Sequence, residues 1–432
     1  MAKITFIGAG STIFAKNILG DCILTPAVKG SELALFDIDH KRLEESKMIL
    51  DNINKNNDHP VNIVSYKNRK NALKDSDYVI NAIQVGGYKP ATVIDFEIPK
   101  KYGLRQTIGD TIGIGGIFRA LRTIPVLLDF ARDMEEVCPD AWFLNYTNPV
   151  PSLTGAIIKE TNINTVGLCH SVQACVGELL DPLDISKDNI TSLIAGINHQ
   201  AWLLKLEKDG RNIYPEVKKR AFNRDKPHDD MVRYEIMKRF GYYLTESSEH
   251  SAEYLPYFIK SSYPELIEKF NIPLDEYPRR CEEQIKEWED IRDNLLDNQD
   301  LKHETRSNEY GSFIIEAMET DNPFQIGGNV LNDGLIDNLP DEAIVEVPCL
   351  VNRNGINPVK VGKLPEQLAA LNRTNINVHL LTEKAALTNK KEYIYQAALL
   401  DPHTSAELSI DEIISLCDDL IEAHGDWLPD YN

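Results

Sequence analysis

Short apolar runs closed by polar or glycine-containing turns recur through the first half of the chain. KITFIGAG (3–10), ELALFDID (32–39), DYVINAIQV (77–85), AWFLNYTNP (141–149) and TVGLCHS (165–171) each read as a buried strand. Between them apolar positions fall at helical spacing, as over 40–56 and 116–136. Strands alternating with helices in this way predict an α/β fold, a doubly wound parallel sheet with right-handed crossovers and helices on both faces. Beyond about residue 200 the pattern changes. Charged amphipathic stretches (229–240, 263–271, 278–297) alternate with β-rich pieces such as EAIVEVPCLV (342–351), and an acidic amphipathic helix lies near 409–423. This predicts a Rossmann-like domain over 1–195 and an α+β domain over 196–432, the latter for substrate, metal and oligomer contacts. The C-terminal GDWLPDYN reads as a docked tail with Trp427 packed.

Composition narrows the class. Of 432 residues 42% are hydrophobic and 26% charged, ordinary globular usage that excludes wholesale disorder. No apolar run reaches membrane-spanning length and MAKITFIGAGS leads straight into a strand pattern, so a cytoplasmic location is expected. The seven cysteines (22, 138, 169, 175, 281, 349, 417) are odd in number and scattered, which predicts reduced thiols. A formal charge of −21 argues against nucleic-acid or anionic-membrane binding and leaves a small-molecule substrate.

Candidate chemistry gathers at the ends of the predicted strands. GAGST places Gly8, Gly10, Ser11 and Thr12 where a tight turn and a helix N-terminus can hold a pyrophosphate, although Ile13 stands where a full dinucleotide fingerprint has glycine. Asp37 ends the second strand, where a carboxylate accepts from an adenosine ribose and repels a 2′-phosphate, favouring NAD over NADP. The alternative is a glycine turn in a doubly wound fold that binds something else. LNYTNPVP puts Asn145, Thr147 and Asn148 at the sheet's carboxyl-end crevice, or is a polar Asn-Pro turn. Asp110 in GDTIGIGG is placed to frame the nicotinamide or sugar pocket, whereas Arg119 and Arg122 are expected to pair with acids on the helix surface. Cys169 and His170 close the fifth strand and His199 follows in GINHQAW; a thiolate and an imidazole from separate loops can share a divalent ion, or both can be packing residues. Cys175 is expected as a packed thiol, and His424 on a solvated last helix ending at a glycine cap.

FIGAGS, DID, QVGGY, QTIGDTIGIGG, NYTNP, GLCHSVQ, GINHQAW, TESSEHSAEY and AHGDWLP, spread end to end, resemble the NAD- and manganese-dependent glycosidases of glycoside hydrolase family 4. CHSVQ is similar to the version in the α-galactosidase (melibiase) subgroup; phosphoglycosidase members carry Asp or Asn where this chain has His170. The resemblance implies NAD and Mn2+ as cofactors and an exception to the usual two-carboxylate scheme. Hydride leaves the sugar C3 for NAD, a base takes the acidified C2 proton, the C1 group is eliminated, water adds and the hydride returns. It further implies Cys169 and His199 as metal ligands, His170 as leaving-group acid and Asn148 as a sugar contact. For the base, YYLTESSEHSAEYLPYF (242–258) offers Tyr243, Glu246, Glu249, His250, Glu253 and Tyr254, of which Tyr254 is preferred. Terminal α-galactosides of the melibiose type are the implied substrates, with α-glucosides or α-galacturonides as neighbouring possibilities, and a homodimer or tetramer the implied assembly. Two rival classes share the glycine turn: a lactate- or malate-type 2-hydroxy-acid dehydrogenase, which leaves its cofactor reduced, and a regulatory NAD sensor, which needs none of Cys169, His170 or His199.

Overall fold

The computed structural model describes residues 1–57, 61–224 and 227–432. Six strands, β1 (Lys3–Ile7), β2 (Glu32–Phe36), β3 (Asn62–Tyr66), β4 (Tyr78–Asn81), β5 (Trp142–Asn145) and β6 (Asn164–Leu168), form a parallel array in the order β3-β2-β1-β4-β5-β6. This is the doubly wound arrangement expected of the alternating pattern, with helices such as His40–Lys55 and Gly113–Val137 as crossovers. Strand β3 is not among the runs singled out above. It is an edge strand in which Ile63 alone is buried, so its pattern lacks the continuous apolar run of its neighbours. Ile4, Phe6, Leu33, Leu35, Val79, Phe143 and Leu144 are fully buried, and each such side chain contributes about 1.5–3 kcal/mol of burial free energy.

The later strands continue this sheet. β7 (Ile190–Ile197), β8 (Gln200–Lys208), β9 (Arg211–Asn212), β10 (Phe324–Leu331), β11 (Ile344–Asn352) and β12 (Gly355–Pro358) pair antiparallel, and β10 joins the parallel array by lying against β6. The order beyond β6 is β10-β11-β7-β8-β9, with β12 on β11, giving twelve strands in one sheet among the described residues. Although β10 and β11 lie between β6 and β7, Cys169, just beyond β6, and His199, in the β7–β8 turn, bring donor atoms within 4.8 Å of each other.

Three local expectations are corrected. Arg119 and Arg122 are buried, at 7% and 1% exposure, rather than on the helix surface. Arg122 forks onto Asp95 at 2.6 and 3.0 Å and Arg119 bonds the Asn148 carbonyl and the Tyr277 hydroxyl, so both guanidiniums are satisfied internally. His424 is likewise buried, its Nε2 2.9 Å from Asp95 and its ring stacked on Phe118. Trp427, expected to pack, is 44% exposed, within the short 3-10 turn Gly425–Trp427. Cys175 is a fully buried thiol, as expected.

Candidate active site

The glycine turn is built for close approach. Gly8 follows β1 with φ of +89°, a left-handed conformation open to glycine, and a Cβ there would stand 2.7 Å from the Ala82 carbonyl oxygen. Gly10 donates its N–H to Asp37 Oδ2 at 2.7 Å, and Asp37 Oδ1 accepts from Asp39 N, so the carboxylate sits directly over the turn. Thr12 is buried with φ of +36° and the helix Ile13–Ile23 starts beside it, while the buried Ser11 hydroxyl has no partner among the described residues. A turn of this shape, a half-open carboxylate and a helix N-terminus together fit a dinucleotide: amides for the pyrophosphate, Asp37 for a ribose diol.

Across the sheet, Cys169, His199 and Glu246 converge, one donor atom from each lying within 4.8 Å of the others. Cys169 Sγ is 3.8 Å from Glu246 Oε2, and His199 Nε2 is 3.5 Å from the same oxygen. His199 occupies the two-residue turn between β7 and β8 with φ of +62°. Burial pushes its imidazole down to about 4, against the pull of Glu246, so it is an uncharged donor at neutral pH. Burial works against ionisation of Glu246, but His250, His199 and the Ser247 amide outweigh it and hold the carboxyl at about 2. The Cys169 thiol is pushed well above its usual value by burial, then by the Glu246 and Glu346 carboxyls. A buried sulfur and an imidazole Nε2 that both face one carboxylate oxygen are a donor set that a divalent cation would satisfy.

His250 connects this cluster to the predicted sugar side. Its ring lies 4.6 Å from that of His199, its Nδ1 is 3.0 Å from the Ser247 hydroxyl, and its Nε2 is 3.8 Å from Asp110 Oδ1. Asp110 accepts from Asn148 Nδ2 at 2.9 Å and from the Thr111 hydroxyl at 2.7 Å. Burial would raise the Asp110 carboxyl, but Arg119, His250 and His199 hold it below its usual value. Below the crevice floor Asn81 donates to Asn145 and Thr147 at 2.9 and 3.0 Å. His170 is exposed at the head of the helix Ser171–Leu180. Tyr254 is buried, its hydroxyl 3.3 Å from the Asn198 carbonyl and its ring centroid 6.3 Å from that of His199.

The structure therefore brings Cys169, His199, Asp110, Asn148 and Tyr254 into one neighbourhood and the Gly8–Thr12 turn to Asp37. The segment 242–258 sorts into separate jobs. Tyr243 is held by Asp230, Glu249 by Arg280, and Glu253 accepts the Thr107, Ile108 and Gly109 amides at 2.5–3.2 Å, which fixes the loop leading to Asp110. The placement of Glu246 at the thiol and imidazole was not legible from its position in that acidic run.

A doubly wound sheet with a dinucleotide turn at one strand end and a thiol–imidazole–carboxylate cluster at another defines a nucleotide-fold protein equipped for metal-assisted chemistry. The model of the family 4 glycosyl hydrolases matches residues 3–185, and that of the family 4 C-terminal domain matches residues 194–404. The chain belongs to glycoside hydrolase family 4. It is 66% identical to an α-galactosidase of Bacillus subtilis (strain 168) across all of both chains. An α-galactosidase of Rhizobium meliloti (strain 1021) is 36% identical, over 99% of this chain and 89% of the relative. A 6-phospho-α-glucosidase from gut microorganisms, solved in complex with NAD and Mn2+, shares the fold with a TM-score of 0.85 over 100% of both chains at 19% identity. Family membership makes the chain a glycosidase and sets aside the dehydrogenase and sensor alternatives.

Proposed function

We infer that the chain is an α-galactosidase acting on terminal α-galactosides with NAD and Mn2+. The observation that carries this reading is the end-to-end 66% identity to a protein of that activity, and the donor sets at both strand ends agree with it. When bound, the nicotinamide supplies a reversible hydride acceptor and the divalent cation a Lewis acid, which together make the sugar C2 proton acidic.

The chain's own residues orient the sugar and move protons. Gly8, Gly10, Ser11, Thr12 and Asp37 seat the dinucleotide, and Cys169 and His199 hold the cation. Asn148 and Asp110, bonded to each other and backed by Arg119, present an amide and a carboxylate to sugar hydroxyls. His170, at the exposed rim, delivers a proton to the departing oxygen. Tyr254, buried beside His199, takes the C2 proton; its hydroxyl must turn from the Asn198 carbonyl toward the sugar to do so. The working form is a cytoplasmic homodimer or tetramer, with residues 1–195 binding NAD and 196–432 completing the sugar and metal contacts. None of the described helices is long and apolar enough to cross a membrane.

The test is hydrolysis of a chromogenic α-galactoside with NAD, Mn2+ and a thiol reductant supplied or omitted one at a time. Turnover is expected when all three are present, without stoichiometric NADH. Full activity after exhaustive removal of NAD and metal contradicts the reading.

A further inference from the structure

We propose that Glu246 is a third protein donor of the cation site, so that Cys169, His199 and Glu246 grip the ion as a tripod. The inference deepens the reading of the metal site and rests on it. The two oxygens of Glu246 are differentiated. Oε1 accepts the Ser247 amide at 2.9 Å and lies 3.9 Å from His250 Nδ1, while Oε2 faces Cys169 Sγ at 3.8 Å and His199 Nε2 at 3.5 Å. One oxygen is thus anchored and the other turned to the two donors.

The backbone explains why this carboxylate arrives there. Leu203 N bonds the Tyr243 carbonyl at 2.8 Å and Thr245 N bonds the Ala201 carbonyl at 3.0 Å, so residues 243–245 run against β8 as a short added ladder. Glu246 is the next residue beyond that ladder, level with the hairpin turn that presents His199. Arg233, itself buried, secures the same segment. Its Nη1 bonds the Thr245 carbonyl at 3.2 Å and Glu178 at 2.8 Å, and its amide bonds the Ser248 hydroxyl at 3.3 Å. Glu178 belongs to the helix Ser171–Leu180 that begins just after Cys169, so one guanidinium ties the Glu246 loop to the helix that follows the thiol.

The chemistry of the set favours the same conclusion. A thiolate, a carboxylate and a neutral imidazole carry two negative charges against a divalent ion, and a hard oxygen donor suits manganese where sulfur alone would suit zinc.

The experiment is a Mn2+ titration of NAD-loaded protein without substrate, reading free Mn2+ by its electron paramagnetic resonance signal, on wild type, Glu246→Gln, Glu246→Asp and Cys169→Ser. Replacing even an outer partner of a metal ligand weakens binding about 10–100-fold, so Glu246→Gln is expected to weaken Mn2+ by at least about tenfold. NAD affinity should be retained, and Glu246→Asp should recover part of the loss. Unchanged Mn2+ affinity in Glu246→Gln, with Cys169→Ser weakened, overturns the tripod alone. Unchanged affinity in both overturns the metal reading beneath it as well. Should Glu246→Gln fail to bind NAD and so prove misfolded, Glu246→Asp carries the test: wild-type Mn2+ affinity in that variant, whose carboxylate is drawn back by one methylene, refutes the proposal.

Discussion

Replacing Arg122 by methionine tests the least expected feature of the core. The Arg122 side chain is wholly buried; it forks onto Asp95 at 2.6 and 3.0 Å and bonds the Val85 carbonyl through Nε at 3.1 Å. Asp95 also meets His424 Nε2 at 2.9 Å, so one carboxylate joins the long helix Gly113–Val137 to the last helix, Ile410–His424. Methionine keeps the stem volume and removes the charge, leaving Asp95 buried without its guanidinium. Breaking a buried pair in this way costs about 3–5 kcal/mol. An unfolding entropy of about 2.1 cal/mol/K per residue, taken over the 432 residues, gives roughly 0.9 kcal/mol per degree. The thermal midpoint should therefore fall by about 3–6 °C in calorimetry. Adding Asp95→Leu should recover part of the loss, because an apolar replacement of the pair is close to neutral while buried His424 gives up its acceptor. A fall below about 1 °C, or a double variant less stable than the single one, refutes the reasoning.

Other expectations follow from the same geometry. Asp37→Ala removes a charged acceptor worth about 1.5–3 kcal/mol and should weaken NAD by roughly 10–150-fold in calorimetric titration, with little change for NADP; equal losses for both cofactors contradict the ribose assignment. Burial pushes the His379 imidazole down to about 3, so on acidification the unfolded chain takes this proton near pH 6.5 and the folded chain only far lower. That residue's contribution is lost as pH falls, by about 2.3 kcal/mol between pH 6.5 and 4.5. His379→Leu should lessen the acid-induced fall in the urea midpoint free energy by about 2–3 kcal/mol, and a difference under about 1 kcal/mol counts against it. Glu253→Ala frees the three backbone amides that hold the loop before Asp110. It should raise KM for the galactoside while Mn2+ affinity stays unchanged; a variant with wild-type KM shows that the loop is held by other contacts.

Much of the parallel array was legible because its strands are short apolar runs followed by turns with a chemical purpose. The strand before Cys169 was legible as the fifth apolar run, whereas the hairpin that carries His199 joins the same sheet only through β10 and β11, which come much later in the chain. What escaped depended on distant partners. A pair of arginines three apart on a helix has the same local pattern whether it faces water or a buried carboxylate, and Arg122 is resolved only by Asp95 and Val85. His424 reads as the end of a solvated helix until Phe118 and Asp95 are seen against it. Glu246 stood in an acidic run with several carboxylates; what distinguishes it is the ladder of residues 243–245 on β8, a pairing that local spacing does not encode. Strand β3 escaped because an edge strand needs one apolar face at most.

In the proposed mechanism the glycosidic bond breaks after the proton at C2 of the sugar has been removed. Hydrolysis of an α-galactoside in heavy water, with NAD and Mn2+ present, followed by magnetic resonance of the released galactose, tests it directly. Deuterium at C2 is expected; galactose that keeps its original C2 proton throughout rules the elimination out.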